Sequence, residues 1–479
     1  MAVNLMLRLF PLCLVPLLFS LLLSQSVLAN FSPQQAINQL PAGHDAALLV
    51  TDPLTGHIVY AQRENQLQSP ASTQKLIIAL AAKLYLETDF RFNTDLEQQG
   101  KDIVIRFSGD PTFSRQQLAV LLTQLKKHKQ STLKGNIILN GSVFSGYERA
   151  PGWPWDILGV CYSAPSSSIS LEHNCVQGAL YSNKALGQLT RVNVPVHQPI
   201  TVSSDALIVS KDQQKARYCD LTLTADNGNG YQLSGCLAKR DKPLPLNFAI
   251  QNTVDYTAAV IRRELKRAGI RFNGKILRDD QASGKRIARH TSAPLSELLD
   301  TMVRESDNLI ADNLTKTLGY RYFSRPGTFN NGIAAIKAIL NDKAGIDLSQ
   351  TVLVDGSGLS RNNRLTAAQM MKVVTYLFQH DTQLGLLTTL PVSGQSGTLR
   401  YRQSIRHQPL TENIAAKSGS LYGTHNLAGI MTAKSGKKLL FVQMVTNYHP
   451  EDKTEDAPKT APPIEAFERE LYRALYENF

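Results

Sequence analysis

The segment that most constrains the fold is SPASTQK, which begins at Ser69, together with the apolar run 76–82 that follows it. Serine is a favourable helix cap and Pro70 suits the first helical position, so the segment predicts a helix that begins here. The run 76–82 is apolar on every side, as in a helix that passes through the centre of a core. Ser72 and Lys75 are three residues apart, so we expect a hydroxyl and an amine on the same side of this helix.

This pair predicts a nucleophile with its base. A serine hydroxyl attacks well only when a base accepts its proton, and lysine serves as that base only when burial or neighbouring cations lower its pKa. The start of a buried helix offers such a site for Ser72 and Lys75. The same spacing also occurs at 131–134 and 435–438, so the pattern alone is weak evidence.

Length and composition indicate an ordinary globular protein of two or three domains, with 479 residues of which 43% are hydrophobic. The formal net charge of +12 is compatible with nucleic acid, anionic surfaces or carboxylate-bearing substrates. The densest cationic run, 126–129, ends a predicted helix, where solvated cations are favourable. We therefore expect no nucleic-acid partner.

Residues 1–29 have the features of a secretory signal peptide, since Arg8 precedes a leucine-rich stretch that ends in the small residue Ala29. We expect cleavage after Ala29 and export to the periplasm. An uncleaved membrane anchor stays open as the alternative, because the apolar run is long. No other stretch of the sequence is apolar enough to span a bilayer, so the cleaved chain would keep no stable membrane anchor.

Export places the four cysteines of the mature chain in an oxidising compartment. Three pairings are open, and we favour local pairing, which closes short loops. A metal site is disfavoured because the sequence has no C-x-x-C spacing and no histidine pair nearby. The disulfides expected from local pairing are Cys161–Cys175 and Cys219–Cys236.

Hydrophobic periodicity predicts several elements that accompany the Ser72 helix. An apolar stripe at 295–303 predicts a helix that ends at the polar residues 306–308. Small residues at 414–420 predict a strand. The other predicted elements are strands at 46–51 and 58–61, a hairpin at 426–432 and 438–445, a helix at 254–268 and a final helix from Ile464.

Three polar signatures follow one another along the chain, namely S-x-x-K from Ser72, S-x-N from Ser306 and K-S-G from Lys417. Together they are far more specific than any one of them. The sequence resembles the penicillin-recognising serine acyltransferases, which have S-x-x-K, S-D-N and K-T-G. Copies of the second and third signatures at 360–362 and 434–436 lie in predicted loops, so we assign them no catalytic role.

The spacing of the signatures narrows this resemblance. Ser72 and Ser306 are 234 residues apart, which leaves room for a large insertion between the first two signatures. In this the chain is similar to the class C low-molecular-mass penicillin-binding proteins, exported D-alanyl-D-alanine carboxypeptidases and endopeptidases of the penicillin-binding protein 4 type. The segments 151–155 and 355–361 support the likeness, which covers nearly all of the mature chain.

The resemblance implies an α+β fold. A penicillin-binding, transpeptidase-like serine acyltransferase domain, with an antiparallel sheet flanked by helices, would be interrupted by two smaller inserted domains. We expect the catalytic domain at 30–92 and 291–479, after the signal peptide. The first inserted domain would comprise 93–193 and 262–290, and the second would comprise 194–261.

The resemblance also implies roles for individual residues. Ser72 would be the nucleophile and Lys75 its base, while Ser306 passes a proton to the leaving amine. The oxyanion would lie between the backbone N–H groups of Ser72 and Ser420. In the family, the acid of the stem pocket lies where this chain has Ile157, one position after the acid proposed here. The other residues expected to bind substrate are Asn308 at the substrate amide, Lys417 and Ser418 at the terminal carboxylate, and Arg361 and Asp156 at the peptide stem.

The implied function is hydrolysis of D-alanyl-D-alanine, or of D-alanyl-diaminopimelate cross-links, in peptidoglycan through an acyl-enzyme. No metal or cofactor is implied. The implied partners are peptidoglycan stem peptides and β-lactam antibiotics as covalent inhibitors, and a homodimer is left open. Burial and the nearby Lys417 would both lower the pKa of Lys75. The alternatives are a β-lactamase and a non-catalytic peptidoglycan-binding scaffold.

Overall fold

The structure is a computed structural model that describes residues 32–87, 89–128, 131–451 and 460–479. The predicted signal peptide and its cleavage site lie outside these residues. The described chain has mixed helices and strands, and most of its strand pairs are antiparallel, which confirms the expected α+β class.

Helices and strands are numbered here in chain order. The helices of the described residues are α1 (Gln34–Ile37), α2 (Lys75–Tyr85), α3 (Arg115–Lys127), α4 (Lys211–Ala216), α5 (Thr253–Arg267), α6 (Leu295–Arg304), α7 (Asn308–Phe323), α8 (Phe329–Ala344), α9 (Ala367–Gln379), α10 (Asp381–Leu384) and α11 (Pro463–Asn478). The strands are β1 (Asp45–Thr51), β2 (Ile58–Gln62), β3 (Asn93–Gln99), β4 (Asp102–Arg106), β5 (Thr132–Leu133), β6 (Ile137–Asn140), β7 (Cys175–Tyr181), β8 (Arg191–Asn193), β9 (Thr201–Ser204), β10 (Leu207–Val209), β11 (Leu221–Ala225), β12 (Gly230–Ala238), β13 (Leu244–Ala249), β14 (Arg271–Phe272), β15 (Ile276–Arg278), β16 (Lys285–Thr291), β17 (Ile414–Leu421), β18 (Thr424–Thr432) and β19 (Lys438–Thr446).

The central sheet is built from the two ends of the chain. Its strand order is β17-β18-β19-β1-β2, and each neighbouring pair is antiparallel. The chain therefore leaves this sheet after β2 and returns only at β17. Helices α2, α6, α7, α8 and α9 share one hydrophobic core with one face of the sheet, while α1 and α11 contribute to a second core with the other face.

Helix α2 lies in the middle of the first core, as its composition predicts. Every residue from Leu76 to Ala82 is at most 2% exposed. The predicted cap at Ser69 is wrong, because the buried Ser69 Oγ accepts no hydrogen bond from the helix N–H groups and has no partner among the described residues. A 3₁₀ turn, Ala71–Gln74, precedes the α-helix instead and contains Ser72.

The segment between α2 and α6 forms further sheets around a separate core. A five-stranded mixed sheet has the order β15-β6-β4-β3-β16, and α3 and α5 pack over it. Strand β7 pairs with β13 and β8, and β12 pairs with β9, β10 and β11. The predicted domain boundary between residues 261 and 262 falls inside the continuous helix α5. The predicted domain boundaries all stay predictions.

Two disulfides stabilise this inserted segment. Cys161 is bonded to Cys175 at the start of β7, and Cys219 is bonded to Cys236 in β12. These are the local pairs that the sequence favours. The first disulfide lines the same cleft as the polar residues 306–308.

Candidate active site

The Ser72 turn is held by hydrogen bonds from two side chains, one within the turn and one from β18. Thr73 Oγ1 donates to the Pro70 carbonyl at 2.6 Å, and the buried Asn426 Nδ2 donates to the carbonyls of Ser69 (2.8 Å) and Pro70 (3.0 Å). Ala71 has φ +47°, a left-handed conformation that non-glycine residues rarely adopt. Such local strain persists only where the surroundings fix it, which is common at functional sites.

Two glycines let neighbouring chain segments approach this turn. A Cβ on Gly358 would lie 2.0 Å from the Ala71 carbonyl oxygen, and φ at Gly358 is +81°. A Cβ on Gly419 would lie 2.8 Å from the Pro70 carbonyl oxygen and 3.1 Å from the Ser72 nitrogen. Both positions therefore require glycine, and β17 passes directly beside the Ser72 backbone.

Lys75 is the centre of the site. Its Nζ donates to Ser72 Oγ at 2.8 Å, to Asn308 Oδ1 at 2.7 Å and to the Ser357 carbonyl at 2.7 Å. The side chain is fully buried. The three acceptors fix the amine against the hydroxyl, which is the geometry that proton transfer from a serine requires.

The pKa values of the two site lysines differ in their causes. Burial lowers the pKa of Lys75 to about 8, although the carboxylates of Asp312, Asp355 and Asp307 favour its ammonium form. Burial and the Lys75 ammonium hold the pKa of Lys417 well below its ordinary range. Repulsion from the Lys75 ammonium therefore contributes to the lowered pKa of Lys417, while three carboxylates oppose the effect of burial at Lys75.

The Asn308 side chain is oriented from both ends. Its Oδ1 accepts from Lys75, and its Nδ2 donates to the Tyr162 carbonyl at 2.7 Å. Tyr162 follows Cys161, whose disulfide to Cys175 ties this turn to β7. An inserted segment therefore completes the hydrogen bonding of the S-x-N signature.

Ser306 and Lys417 meet across the site. Lys417 Nζ donates to Ser306 Oγ at 2.9 Å and to the Ser418 carbonyl at 2.8 Å. Ser306 has φ +62° in the turn between α6 and α7, and Asp307 caps α7 by accepting from the Ile310 N–H at 2.8 Å. The three signatures of the sequence are therefore adjacent in space.

A buried carboxylate, Asp355, joins the two segments that support the sequence resemblance. Its Oδ2 accepts from Trp153 Nε1 at 2.8 Å and from the Ser360 N–H at 2.7 Å. Its Oδ1 accepts from Asn363 Nδ2 at 2.8 Å and from the Gly358 N–H at 3.0 Å. Asp355 thus fixes the loop that contributes the Ser357 carbonyl to Lys75.

A second buried carboxylate, Asp312, lies one helical turn after Asn308. Its Oδ1 accepts from the N–H groups of Gly356 and Ser357, both at 2.8 Å, while its Oδ2 is buried without a partner among the described residues. Burial and the nearby Asp355 raise the pKa of Asp312 to about 7. Its charge is the strongest influence that favours the Lys75 ammonium.

An open pocket of about 680 Å³ extends from Ser72 toward Arg361. Arg361 and Asp156 line it together with Ser72, Ser306 and Ser420, so the structure brings all these predicted site residues together. Arg361 Nη1 donates to the Tyr422 carbonyl at 2.9 Å. The pocket is also lined by Ile157, the residue that follows Asp156.

Comparison with known proteins assigns the family. Residues 32–471 match the model of the D-Ala-D-Ala carboxypeptidase 3 (S13) family. This range includes every residue of the site described above. The chain belongs to the S13 family. It is 38% identical over 469 residues to the D-alanyl-D-alanine carboxypeptidase DacB of Haemophilus influenzae, and the match covers 96% of this chain and 97% of that protein.

Solved structures agree with this S13 assignment. The crystal structure of penicillin-binding protein 4 (dacB) from Haemophilus influenzae superposes with a TM-score of 0.86 at 37% identity, covering 93% of this chain and 99% of that one. A second crystal structure of the same protein, complexed with a β-lactam, superposes with a TM-score of 0.81 at 36% identity over the same shares of the chains.

Several residues around the S13 signatures are not among the predicted site residues. The Ser357 carbonyl accepts a hydrogen bond from Lys75, and the charge of Asp312 raises the pKa of Lys75. The Tyr162 carbonyl orients Asn308, and Thr398 Oγ1 accepts from Ser418 Oγ at 2.7 Å. Asp312 has a detectable signal, because it follows Asn308 by four residues and so faces the same side of a helix. Tyr162 and Thr398 have none, since they lie far from the signatures in sequence.

Two further observations concern the described part of this S13 chain. There, no three His, Cys, Asp or Glu side chains are grouped closely enough to hold a metal ion. Each described helix is also too short or too polar to cross a membrane.

Proposed function

We propose that this protein is a serine DD-peptidase that cleaves D-alanyl-D-alanine ends and D-alanyl-diaminopimelate cross-links of peptidoglycan through an acyl-enzyme on Ser72. The observation that supports this most is the buried Lys75 amine within 2.8 Å of the Ser72 hydroxyl. Membership in the S13 family supports the carboxypeptidase reaction. The cross-link reaction follows from the same chemistry, since only the group attached to the leaving amine differs.

In the proposed acylation, the Ser72 oxygen attacks the penultimate D-alanyl carbonyl while its proton passes to neutral Lys75. The N–H groups of Ser72 and Ser420 would hold the oxyanion, and such a donor is worth roughly 3 kcal/mol. The C–N bond then breaks, and Ser306 passes a proton to the leaving amine. Water later hydrolyses the ester to release the shortened peptide.

Substrate binding uses both ends of the site in this proposal. Lys417 and Ser418 would bind the terminal carboxylate. The negative charge of the carboxylate would favour the ammonium form of Lys417. Asn308 would bind the substrate amide. Arg361 and Asp156 would contact the peptide stem from the 680 Å³ pocket.

The setting of the reaction is also part of this proposal. The disulfides are consistent with export, and we propose a periplasmic enzyme whose signal peptide is removed after Ala29. The related protein from Haemophilus influenzae was crystallised with a β-lactam. We accordingly propose β-lactams as covalent inhibitors that acylate Ser72.

The function can be tested with two substrates and one variant. The purified mature chain should release D-alanine from a pentapeptide that ends in D-Ala-D-Ala, and should split a cross-linked peptide dimer. Ser72→Ala should lower both rates by about 10⁴-fold or more, because the nucleophile is lost. Chromatography with mass detection measures both products. Equal activity of Ser72→Ala would refute the proposal, and cleavage of the pentapeptide alone would remove only the endopeptidase part.

Asp312→Asn should change the pH dependence of acylation. The Asp312 carboxylate favours the Lys75 ammonium, so its loss should lower the pKa of Lys75 from about 8 and enlarge the neutral fraction at lower pH. We expect the acid limb of the rate of acylation by benzylpenicillin to move down by about 1 pH unit. Asp342→Asn on the exposed side of α8 is the charge-matched control. An unmoved acid limb in Asp312→Asn would contradict this account of Lys75.

A further inference from the structure

A second cleft begins where the Ser72 pocket ends. It has a volume of about 800 Å³ and shares the residues Tyr162, Ser306 and Asn308 with the Ser72 pocket. Neither Arg361 nor Asp156 lines it, so it extends away from the end proposed for the peptide stem. The function proposed above assigns no ligand to this space.

The walls of this cleft come from different parts of the fold and combine polar side chains with apolar surface. Thr301 lies on α6 and Asp307 caps α7, whereas Glu172, His173 and Gln177 belong to the insertion. His173 Nδ1 lies 3.8 Å from Asp307 Oδ2 across the cleft. The hydroxyl, amide, imidazole and carboxylate groups of these residues can form hydrogen bonds with the backbone of a peptide, and the apolar surface between them can pack against its side chains.

The inserted wall is rigid. Cys161 and Cys175 both line the cleft and are joined by a disulfide. The adjacent Asn174 is buried, accepts from the Leu171 N–H at 3.1 Å and donates to the Pro165 carbonyl at 2.9 Å. A wall that is fixed before binding loses little conformational entropy when a ligand arrives.

The order of chemical groups along the site indicates what this cleft can hold. In the proposed reaction, the acyl part of the substrate lies toward Arg361, and the leaving amine receives its proton at Ser306. A leaving D-alanine would end at Lys417. A leaving amine that belongs to a second peptide has more chain beyond it, and the cleft begins at that point.

We propose that this cleft binds the second peptide strand of a cross-linked substrate, the strand that departs as the amine. This inference rests on the proposed function and adds a specificity site to it. The chemistry is unchanged: the D-alanyl C–N bond breaks, the ester to Ser72 forms, and the departing strand takes the proton from Ser306. The cleft therefore favours cleavage of cross-links over removal of terminal D-alanine.

The test fills the cleft and compares two substrates. Gln177→Trp places a large ring in the inserted wall at an exposed strand position, where an aromatic residue is well tolerated. Thr301→Trp fills the opposite wall from α6. Thr224→Trp, at an exposed position of β11 that does not line the cleft, is the matched control. For each variant, kcat/KM is measured for a cross-linked peptide dimer and for a D-Ala-D-Ala pentapeptide.

We expect the ratio of dimer to pentapeptide kcat/KM to fall at least tenfold in both cleft variants and to stay within twofold of the native value in Thr224→Trp. The rate of acylation by benzylpenicillin, which has no second strand, shows that each variant is folded and its Ser72 competent. An unchanged ratio, or equal losses on both substrates, would overturn the inference while the proposed peptidase function stands. A native enzyme that cleaves only the pentapeptide overturns this inference together with the endopeptidase proposal, and an enzyme inactive on both refutes the proposed function itself.

Discussion

Replacing Lys75 with methionine is expected to slow acylation of Ser72 by benzylpenicillin about 10²–10⁴-fold, the usual contribution of a positioned general base. Methionine keeps most of the length of the buried side chain but cannot accept the Ser72 proton. The Lys75 amine that would be lost lies 2.8 Å from Ser72 Oγ. Stopped-flow measurement of acylation at pH 8 gives the rate constant.

A second buried lysine provides the control for this experiment. Lys316 on α7 is 1% exposed, donates to the carbonyls of Tyr147 (2.8 Å) and Ser166 (2.7 Å), and burial lowers its pKa to about 8. Its burial and hydrogen bonding match those of Lys75, but it does not contact Ser72. Lys316→Met should therefore slow acylation less than tenfold. A similar loss in both variants would show that Lys75 matters only for packing.

Asp355→Ala is expected to lower the free energy of unfolding of the region around the Ser72 site by about 3–5 kcal/mol, as when one partner of a buried charged network is removed. The carboxylate accepts hydrogen bonds from Trp153, Ser360, Asn363 and Gly358, and alanine would leave these buried donors unpaired. Asp355→Asn should cost less, because its amide oxygen keeps part of the network.

Tryptophan fluorescence in urea can measure this loss locally. The chain has two tryptophans, of which Trp153 contacts Asp355 and Trp155 is 85% exposed. A Trp155→Phe background leaves Trp153 as the reporter of the loop. Asp347→Ala, in an exposed turn, is the control. If Asp355→Ala costs less than about 1 kcal/mol, the network does not stabilise the site as described.

Much of the central sheet and of the helices that pack on it could be predicted from local patterns in the sequence. The strand predictions at 46–51, 58–61 and 414–420 are confirmed to within one residue at each end by β1, β2 and β17. Helix α6 matches the apolar stripe at 295–303. In each of these elements one face packs on a core, and that burial is what the periodicity records.

The details of the nucleophile turn could not be predicted in this way. The motif Ser69-Pro70 is typical of a helix start, yet tertiary contacts from Asn426 and the close approach of β17 produce a strained 3₁₀ turn at Ala71. These contacts come from residues more than 340 positions away in the sequence. Local helix propensity does not depend on such distant contacts, so the cap prediction is wrong. The predicted proximity of Ser72 and Lys75 is confirmed, because it depends only on their spacing.

The electrostatic environment of Lys75 shows the same division. Burial could be predicted from the apolar run that follows the lysine, and it is the main cause of the lowered pKa. The spacing of four residues between Asn308 and Asp312 indicates that Asp312 lies on the same side of α7. The approach of Asp355 could not be predicted, because it comes from a loop that lies 43 residues after Asp312 in the sequence. The assignment of Asp156 to the pocket for the peptide stem stays a prediction. The neighbouring Ile157 lines the same pocket.

The central claim, that Ser72 is the acylated nucleophile, is tested most directly by intact mass spectrometry after brief exposure to benzylpenicillin. We expect one covalent adduct, located at Ser72 by peptide mapping and absent from Ser72→Ala. Rapid destruction of the drug without an adduct, abolished in Ser72→Ala, would instead indicate a β-lactamase. Neither adduct nor drug turnover would contradict the acyl-enzyme account and leave a non-catalytic scaffold.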